Sequence, residues 1–319
     1  MAVGVCDVAC YRPQPAVRLS DGTVKFVSRD HPKKEVDLVL PCGQCIGCRL
    51  ERARSWAVRC VHESRLHESN CFVTLTYDDS NLPAGGSLDY PEFQRFMKRL
   101  RKSVGSVRFY MGGEYGDQLL RPHYHVIIFG YDFPDKVFFK RSNSGERIYT
   151  SEILSRLWPF GLSSIGAVTF ESAAYIARYC VQKVNGDLAK SHYETFTSDG
   201  EIIYRCPEFN HMSLKPGIGA GFFDRFYSDI FPRDYTVING TKHKLPGYYD
   251  VLLERRDPDL LESLKWQREL DMQILQSSNP DEFLRSYWSA VSGNYNHDRL
   301  SVKERFFEHT TSNFSRNLS

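Results

Sequence analysis

The 319-residue sequence has no apolar run long enough to cross a bilayer, and its longest runs, such as residues 126–129, are far too short. It shows no positively charged start followed by an apolar segment, so we expect no secretory signal. No G-x-x-x-x-G-K-S/T sequence is present, which argues against a fused ATPase. These absences favour a soluble cytoplasmic protein.

An excess of one charge is also missing, because 41 Lys and Arg balance 39 Asp and Glu to a net charge of +2. Bulk charge therefore does not indicate a nucleic-acid binder. Residues 95–108 nevertheless carry six basic side chains and no acidic one, and such a face can neutralise phosphates. A solvated helix face is the alternative. The candidate DNA-binding residues are Arg95, Lys98, Arg99, Arg101 and Lys102.

Cysteine is present in an odd number, nine, in a chain with enough apolar residues (41%) to bury a core without disulfides. We therefore expect free or metal-bound thiols in a reducing cytoplasm. Three cysteines follow a C-x-x-C-x-x-C spacing, which suits tetrahedral zinc if a fourth thiolate joins them. Buried thiols without metal are the alternative. The candidate zinc ligands are Cys42, Cys45, Cys48 and either Cys10 or Cys6. A ferredoxin-type cluster is disfavoured, because Arg52 stands where that motif has a further cysteine.

Hydrophobic periodicity predicts strands mixed with helices. The predicted strands are residues 71–77, 107–112, 123–130 and 163–170, with hairpins near 138–149 and 197–204. The predicted helices are residues 49–66, 91–102, 151–158 and 171–184. This order of elements indicates an α+β domain with a central, largely antiparallel sheet flanked by helices.

The two ends of the chain have weaker patterns than the middle. Residues 1–47 contain four prolines from Pro13 to Pro41 and are predicted to be irregular. Beyond about residue 190 we predict a helix ending before Pro232 and a charged helical stretch over 248–276. We expect three parts: a Cys-rich segment (1–48), a catalytic core (49–190) and an accessory region (191–319).

Residues 121–125, Arg-Pro-His-Tyr-His, lead into a β-branched run typical of a strand. Side chains alternate along a strand, so His123 and His125 share one face while Tyr124 points into packing on the other. Both imidazoles can then reach one divalent metal. Glu114 ends the preceding strand, and pairing of the two strands would bring its carboxylate to the same face as a third ligand. A glutamate in a surface loop is the alternative.

Tyr175 and Tyr179 lie four residues apart in a predicted helix, and Lys183 continues the same stripe. Aromatic residues at this spacing usually pack in a core. The combination Tyr, Tyr and Lys is more typical of a wet cleft. A metal ion on a scissile phosphate, a tyrosine nucleophile and a nearby cation together suit cleavage of a DNA strand with formation of a 5′-phosphotyrosine link.

The H-x-H strand followed by a Y-x-x-x-Y helix resembles the replication initiators of the HUH endonuclease superfamily. Four further stretches, at residues 72–77, 113–116, 41–45 and 48–52, are similar to those of the gokushovirus-type microviruses, small single-stranded DNA phages. The resemblance covers residues 40–185 well. It implies an RRM- or palm-like sheet and rolling-circle initiation, in which the enzyme nicks one strand and later rejoins the displaced strand.

The resemblance also implies roles for individual residues and for partners. His123 and His125 would bind Mg²⁺ or Mn²⁺ with Glu114 as a third ligand. Tyr175 and Tyr179 would be paired nucleophiles and Lys183 an assisting cation. The implied partners are origin DNA, as single strands and supercoiled duplex, together with a helicase and a DNA polymerase of the bacterial host, in whose cytoplasm the protein would act.

Two other functions remain open on the residues alone. A zinc-stabilised, non-catalytic DNA-binding protein explains the cysteines and the basic stretch but leaves the histidines and tyrosines unexplained. A metal-dependent phosphodiesterase that activates water would need His123, His125 and Glu114 but not the tyrosines, and it would form no covalent adduct.

Overall fold

A computed structural model describes residues 10–27, 36, 38–116, 119–142, 145–182, 188–196 and 200–278, without the side chains of 179–182, 188 and 272–278. The chain divides into two compact units, residues 53–249 and residues 1–52 together with 250–319. Within the described ranges, no helix is long and apolar enough to cross a membrane.

A seven-stranded sheet forms the centre of unit 53–249. Its strands are β4 (Asn70–Thr76), β5 (Arg108–Tyr115), β6 (Pro122–Phe129), β7 (Val137–Arg141), β8 (Arg147–Thr150), β9 (Ser163–Gly166) and β12 (Phe209–Met212). They are ordered β12-β5-β6-β4-β9-β8-β7, and each neighbouring pair is antiparallel. The predicted α+β class and antiparallel sheet are therefore confirmed. Strand β12 comes from the region that the sequence assigns to an accessory part.

The helices of the chain flank this sheet or follow it. Their bounds are α1 (Ile46–Ser64), α2 (Tyr90–Val104), α3 (Glu152–Leu157), α4 (Phe170–Gln182), α5 (Leu188–Tyr193), α6 (Ala220–Ile230), α7 (Gly247–Arg256) and α8 (Pro258–Ser278). Two antiparallel hairpins complete unit 53–249: β10 (Glu194–Phe196) with β11 (Ile202–Tyr204), and β13 (Tyr235–Ile238) with β14 (Thr241–Lys244).

Alternation along the strands gives the sheet two faces with separate cores. One face carries residues such as Val73, Val126 and Ile128 and packs against α2 and α3. The other carries Ile127 and Phe129 and packs against α4 and the part of α1 after residue 52. A shift of one residue in any strand would exchange its two sets of side chains, so burial on both faces fixes the register.

Helix α2 covers the first face because its apolar residues recur at helical spacing. Phe93, Phe96, Met97 and Leu100 are all buried. The Asp89 side chain caps the helix by accepting from the Glu92 backbone N–H at 3.3 Å. The helix ends where Gly105 adopts φ +88°, a conformation that favours glycine.

Helix α4 begins earlier than its sequence pattern predicts. The predicted strand over 163–170 ends at Gly166, and the chain enters the helix at Phe170. Thr169 and Ser172 cap each other: the Thr169 N–H donates to Ser172 Oγ at 2.8 Å, and the Ser172 N–H donates to Thr169 Oγ1 at 3.1 Å. This reciprocal cap overrides the β-branched character of the residues before it.

Unit 1–52 with 250–319 corrects two predictions. The first 47 residues are not wholly irregular, since β1 (Gln14–Arg18), β2 (Val24–Phe26) and β3 (Leu38–Leu40) form a small antiparallel sheet. Strands this short show no alternation of burial, and the prolines obscured the pattern. The predicted helical stretch over 248–276 is broken at Asp257, because Pro258 lacks an N–H and starts a new helix.

Candidate active site on the α4 face of the sheet

His123 and His125 lie on the sheet face that packs against α4. His125 is buried and His123 half-buried, and their ring centroids are 6.4 Å apart with nearly parallel planes. Tyr124 points to the opposite face, where it is fully buried and its hydroxyl donates to the Asp89 carbonyl at 2.9 Å. The predicted alternation of these three residues is confirmed.

Glu114 reaches the same face because β5 and β6 pair as neighbouring strands. It stands directly opposite His123 in the register, and its Oε1 lies 2.5 Å from Nε2 of His125. Both partners are buried. The expected approach of this carboxylate to the imidazoles is thus present, and its role as a ligand stays a prediction.

The contact of His123 with its own strand defines its tautomer. Its Nδ1 lies 2.6 Å from the Arg121 carbonyl oxygen, which can only accept, so the proton is on Nδ1 and the Nε2 lone pair is available. Burial, with a smaller contribution from His125, lowers the pKa of His123 to about 4. The ring is therefore neutral at neutral pH, as a metal ligand must be.

Thr74 of β4 is the cross-strand partner of His125, and its Oγ1 lies 3.0 Å from His125 Nδ1. A hydroxyl both donates and accepts, so Thr74 supports either tautomer of this ring. With Glu114 accepting from Nε2–H, the Thr74 hydroxyl donates to Nδ1. With a cation on Nε2, Nδ1–H would donate to Thr74 instead, the outer-shell arrangement usual for metal-bound histidine.

Tyr175 lies against this site from α4. Its ring makes an edge-to-face contact with the His125 ring at a centroid distance of 5.1 Å. Tyr179 follows one turn later in α4, but its side chain lies outside the described part of the structure, as does all of Lys183. The structure therefore brings Tyr175, His123, His125 and Glu114 to one place.

Gly112 and Asn210 bring α4 close to the sheet. A Cβ on Gly112 would lie 3.1 Å from both Ile176 Cγ2 and Asn210 Nδ2, so α4 could not approach as closely over a larger residue. The Asn210 amide donates to the Met111 carbonyl at 3.1 Å and to the Ile176 carbonyl at 3.3 Å. Asn210 thereby links β12, β5 and the turn of α4 that follows Tyr175.

The basic residues of α2 lie on the other face of the sheet. Arg99 donates twice to the Leu157 carbonyl and Arg101 donates to the Val107 carbonyl. Arg95 lies 3.6 Å from Glu92 and 3.8 Å from Asp89. Lys98 and Lys102 are exposed. A DNA-binding role for this helix stays a prediction, and the helix is separated by the sheet from the histidines.

The cysteine cluster is a second candidate metal site. The sulfurs of Cys10, Cys42, Cys45 and Cys48 all lie within 4.8 Å of one another, so these side chains could hold a metal ion. The alternative fourth ligand, Cys6, lies outside the described residues.

The donor set of two imidazoles and one carboxylate on the α4 face fits a divalent metal. His123 is neutral with its Nε2 lone pair available, His125 has a partner on Nδ1 for the metal-bound tautomer, and Glu114 supplies an oxygen. Three protein ligands leave positions for a phosphate oxygen and water, as a catalytic site requires.

Comparisons with known proteins follow the same residues. A family model that describes replication-associated proteins of the ORF2 type matches residues 70–184. The chain is 32% identical to "Replication-associated protein VP4" of Bdellovibrio phage phiMH2K, over 83% of this chain and 81% of that protein. It is 32% identical to "Replication-associated protein ORF2" of Spiroplasma virus 4, over 82% and 86% of the two chains. A third relative, "Replication-associated protein ORF4" of Chlamydia phage 1, is 29% identical over 70% of this chain and 56% of its own length. No solved structure matches significantly.

Proposed function

This chain belongs to the replication-associated proteins of microviruses, and we propose that it initiates replication by cutting one strand of the phage origin with a tyrosine. The fold assigned by this proposal is that of the HUH endonucleases. The supporting structural features are an antiparallel sheet with helices on both faces and two histidines aligned on one strand.

The contact between Tyr175 and His125 is the observation on which the mechanism rests. A phenol within one ring contact of a candidate metal ligand is placed to attack a phosphate held at that metal. A tyrosine used only for packing would more often face the apolar end of this interface, where Ile127 and Phe129 meet Ile176.

The proposed reaction is a transesterification. The Tyr175 Oη bonds to phosphorus, the bond from phosphorus to the 3′ oxygen breaks, and that oxygen takes a proton to become a 3′ hydroxyl. The 5′ end remains on the tyrosine, so the phosphodiester bond is exchanged without hydrolysis and can be reformed when the strand is rejoined. Because the ordinary pKa of a tyrosine phenol is about 10, the attacking oxygen needs help to lose its proton.

His123, His125 and Glu114 would hold a divalent metal, Mg²⁺ or Mn²⁺, which supplies charge neutralisation and alignment of the scissile phosphate. His123 is held by the Arg121 carbonyl and His125 by Thr74, so neither ring must reorient when a cation binds. This preorganisation keeps the phosphate position fixed relative to the Tyr175 ring.

The second tyrosine and the partners extend the proposal beyond the described geometry. Tyr179 would take the second cut when the circle is complete, and Lys183 would favour the phenolate by its charge. The substrate would be origin DNA in single-stranded or supercoiled form. Unwinding and synthesis would be supplied by a helicase and a polymerase of the host.

The test is a cleavage assay on single-stranded DNA of the source replicon carrying a label on each side of the nick. We expect a metal-dependent, SDS-stable protein adduct on the 5′ end of the downstream fragment. Adduct formation should fall in Tyr175→Phe and vanish when Tyr179→Phe is added. Tyr204→Phe, which alters an exposed tyrosine in β11, is the matched control and should behave as wild type.

The other outcomes separate the remaining functions. Cleavage without an adduct would indicate activation of water by the metal. Binding of DNA with neither cleavage nor adduct would indicate a non-catalytic DNA-binding protein.

A further inference from the structure

The proposed nicking reaction makes no use of the cysteine cluster. Cys45 and Cys48 are buried, Cys10 and Cys42 are half-buried, and all four belong to unit 1–52 with 250–319. The apolar cluster around them contains only Tyr11 and Ile46 besides the cysteines. So small a cluster cannot fix this part of the chain by burial alone.

The distances between the sulfurs match a tetrahedral metal site. Zn–S bonds of about 2.3 Å at tetrahedral angles place neighbouring sulfurs about 3.8 Å apart. The sulfurs of Cys45 and Cys10 are 3.8 Å apart, and the largest separation in the set is within 4.8 Å. A disulfide would bring two sulfurs to about 2.05 Å. An iron–sulfur cubane would hold them further apart, because its own atoms lie between the cysteines.

Backbone N–H groups point at three of the four sulfurs, which favours thiolates over thiols. The Tyr11 N–H donates to Cys45 Sγ at 3.3 Å and the Cys42 N–H to Cys10 Sγ at 3.2 Å. The N–H groups of Gln44 and Cys45 donate to Cys42 Sγ at 3.4 and 3.3 Å. Each bond stabilises negative charge on sulfur, which four clustered thiolates can carry only with a cation between them.

The local backbone is shaped for this arrangement. Gly43 adopts φ +73°, in the left-handed region, and so turns the chain between Cys42 and Cys45. Cys48 lies in the first turn of α1, where the helix dipole also favours a thiolate. Cys10 precedes β1 and Cys42 follows β3, so one ion would join both ends of the small sheet to the start of the helix.

We propose that Cys10, Cys42, Cys45 and Cys48 bind one structural Zn²⁺ ion. Four protein ligands close the coordination sphere and leave no position for substrate, which distinguishes this site from the histidine site on the sheet. Zinc is chosen over a single iron because the site has a purely structural task and zinc has no redox chemistry to control.

The experiment measures the metal content of the full-length protein by plasma mass spectrometry, after purification without added metal. We expect about one zinc per chain in the wild type, and less than about a tenth of that in Cys42→Ser with Cys48→Ser. Cys206→Ser, which changes an exposed cysteine outside the cluster, is the matched control and should retain its zinc. His123→Ala should also retain it, so the outcome is independent of nicking activity.

A second measurement covers the case in which the serine variants fail to fold. The wild-type protein is stripped with a thiol-reactive mercurial, reduced, and loaded with Co²⁺. We expect the visible bands and thiolate-to-cobalt absorption of a tetrahedral site with four sulfur ligands. An absorption spectrum of iron in the purified protein, zinc that persists in the double serine variant, or a cobalt spectrum without sulfur ligands would each overturn the proposal.

Discussion

The two faces of the central sheet are built from the same strands but bury different chemistry. On the face covered by α2 and α3, β6 contributes Tyr124, Val126 and Ile128, all fully buried in an apolar core. On the face covered by α4, the same strand contributes the two candidate ligands, His123 and His125. The difference teaches that a strand period of two is enough to separate a stabilising face from a reactive one.

The comparison predicts opposite consequences for two residues three positions apart. His123→Ala removes a candidate metal ligand and should lower metal-dependent nicking at least about 100-fold, while the free energy of unfolding changes by less than about 1 kcal/mol. Val126→Ala should lower stability by roughly 2 kcal/mol through the cavity that it leaves, with nicking retained below the melting temperature. Nicking rates and chemical denaturation measure the two effects. Full activity of His123→Ala with unchanged metal dependence would refute the metal assignment.

Thr74→Val is predicted to have the next largest effect. It keeps the shape of the side chain but removes the hydroxyl beside His125 Nδ1, so the metal-bound tautomer loses its acceptor. The Mn²⁺ concentration for half-maximal nicking should rise about tenfold. Thr74→Ser should restore the wild-type value, because it retains the hydroxyl. If serine and valine behave alike, the hydroxyl does not support the ring.

Gly116→Ala should have a smaller effect on the same face. A Cβ at this position would lie 3.1 Å from His123 Cε1, so the ring must shift. We expect nicking to fall about threefold to tenfold with little loss of stability, since catalysis is sensitive to displacements of an ångström or less. Gly247→Ala, where nothing lies within 4 Å of the added Cβ, is the control and should be neutral. Equal activity of both variants would show that His123 needs no such exact placement.

The smallest effect is predicted on the opposite face. Replacing the exposed Lys98 and Lys102 by Ala should change the nicking rate at saturating DNA by less than about twofold, because the sheet separates α2 from the histidines. Any effect should appear as weaker DNA affinity with a shallower salt dependence. A tenfold fall of the saturated rate would contradict the division of roles between the two faces.

Local patterns in the sequence were sufficient to predict much of this site. Alternation along residues 123–130 placed both histidines on one face and Tyr124 on the other, and the proximity of two neighbouring strands placed Glu114 near them. These relations involve side chains at most eleven residues apart. They depend on geometry that a strand or a hairpin imposes by itself.

Contacts between distant parts of the chain could not be read from the sequence in the same way. Thr74 meets His125 across 51 residues, and Asn210 meets Met111 across 99. The amphipathic pattern of α2 identified its buried side but not the sheet face against which that side packs. The early strands were missed because three to five residues with interspersed prolines carry no detectable alternation.

The most direct test of the account is to locate the covalent adduct. The full-length protein is incubated with single-stranded DNA of its replicon and Mn²⁺, with EDTA as the control, and the SDS-stable product is digested and mapped by mass spectrometry. The account predicts a nucleotide-bearing peptide from α4, modified on Tyr175 or Tyr179, which is absent with EDTA. Cleavage without such a peptide, or an adduct on a residue outside α4, would contradict the account.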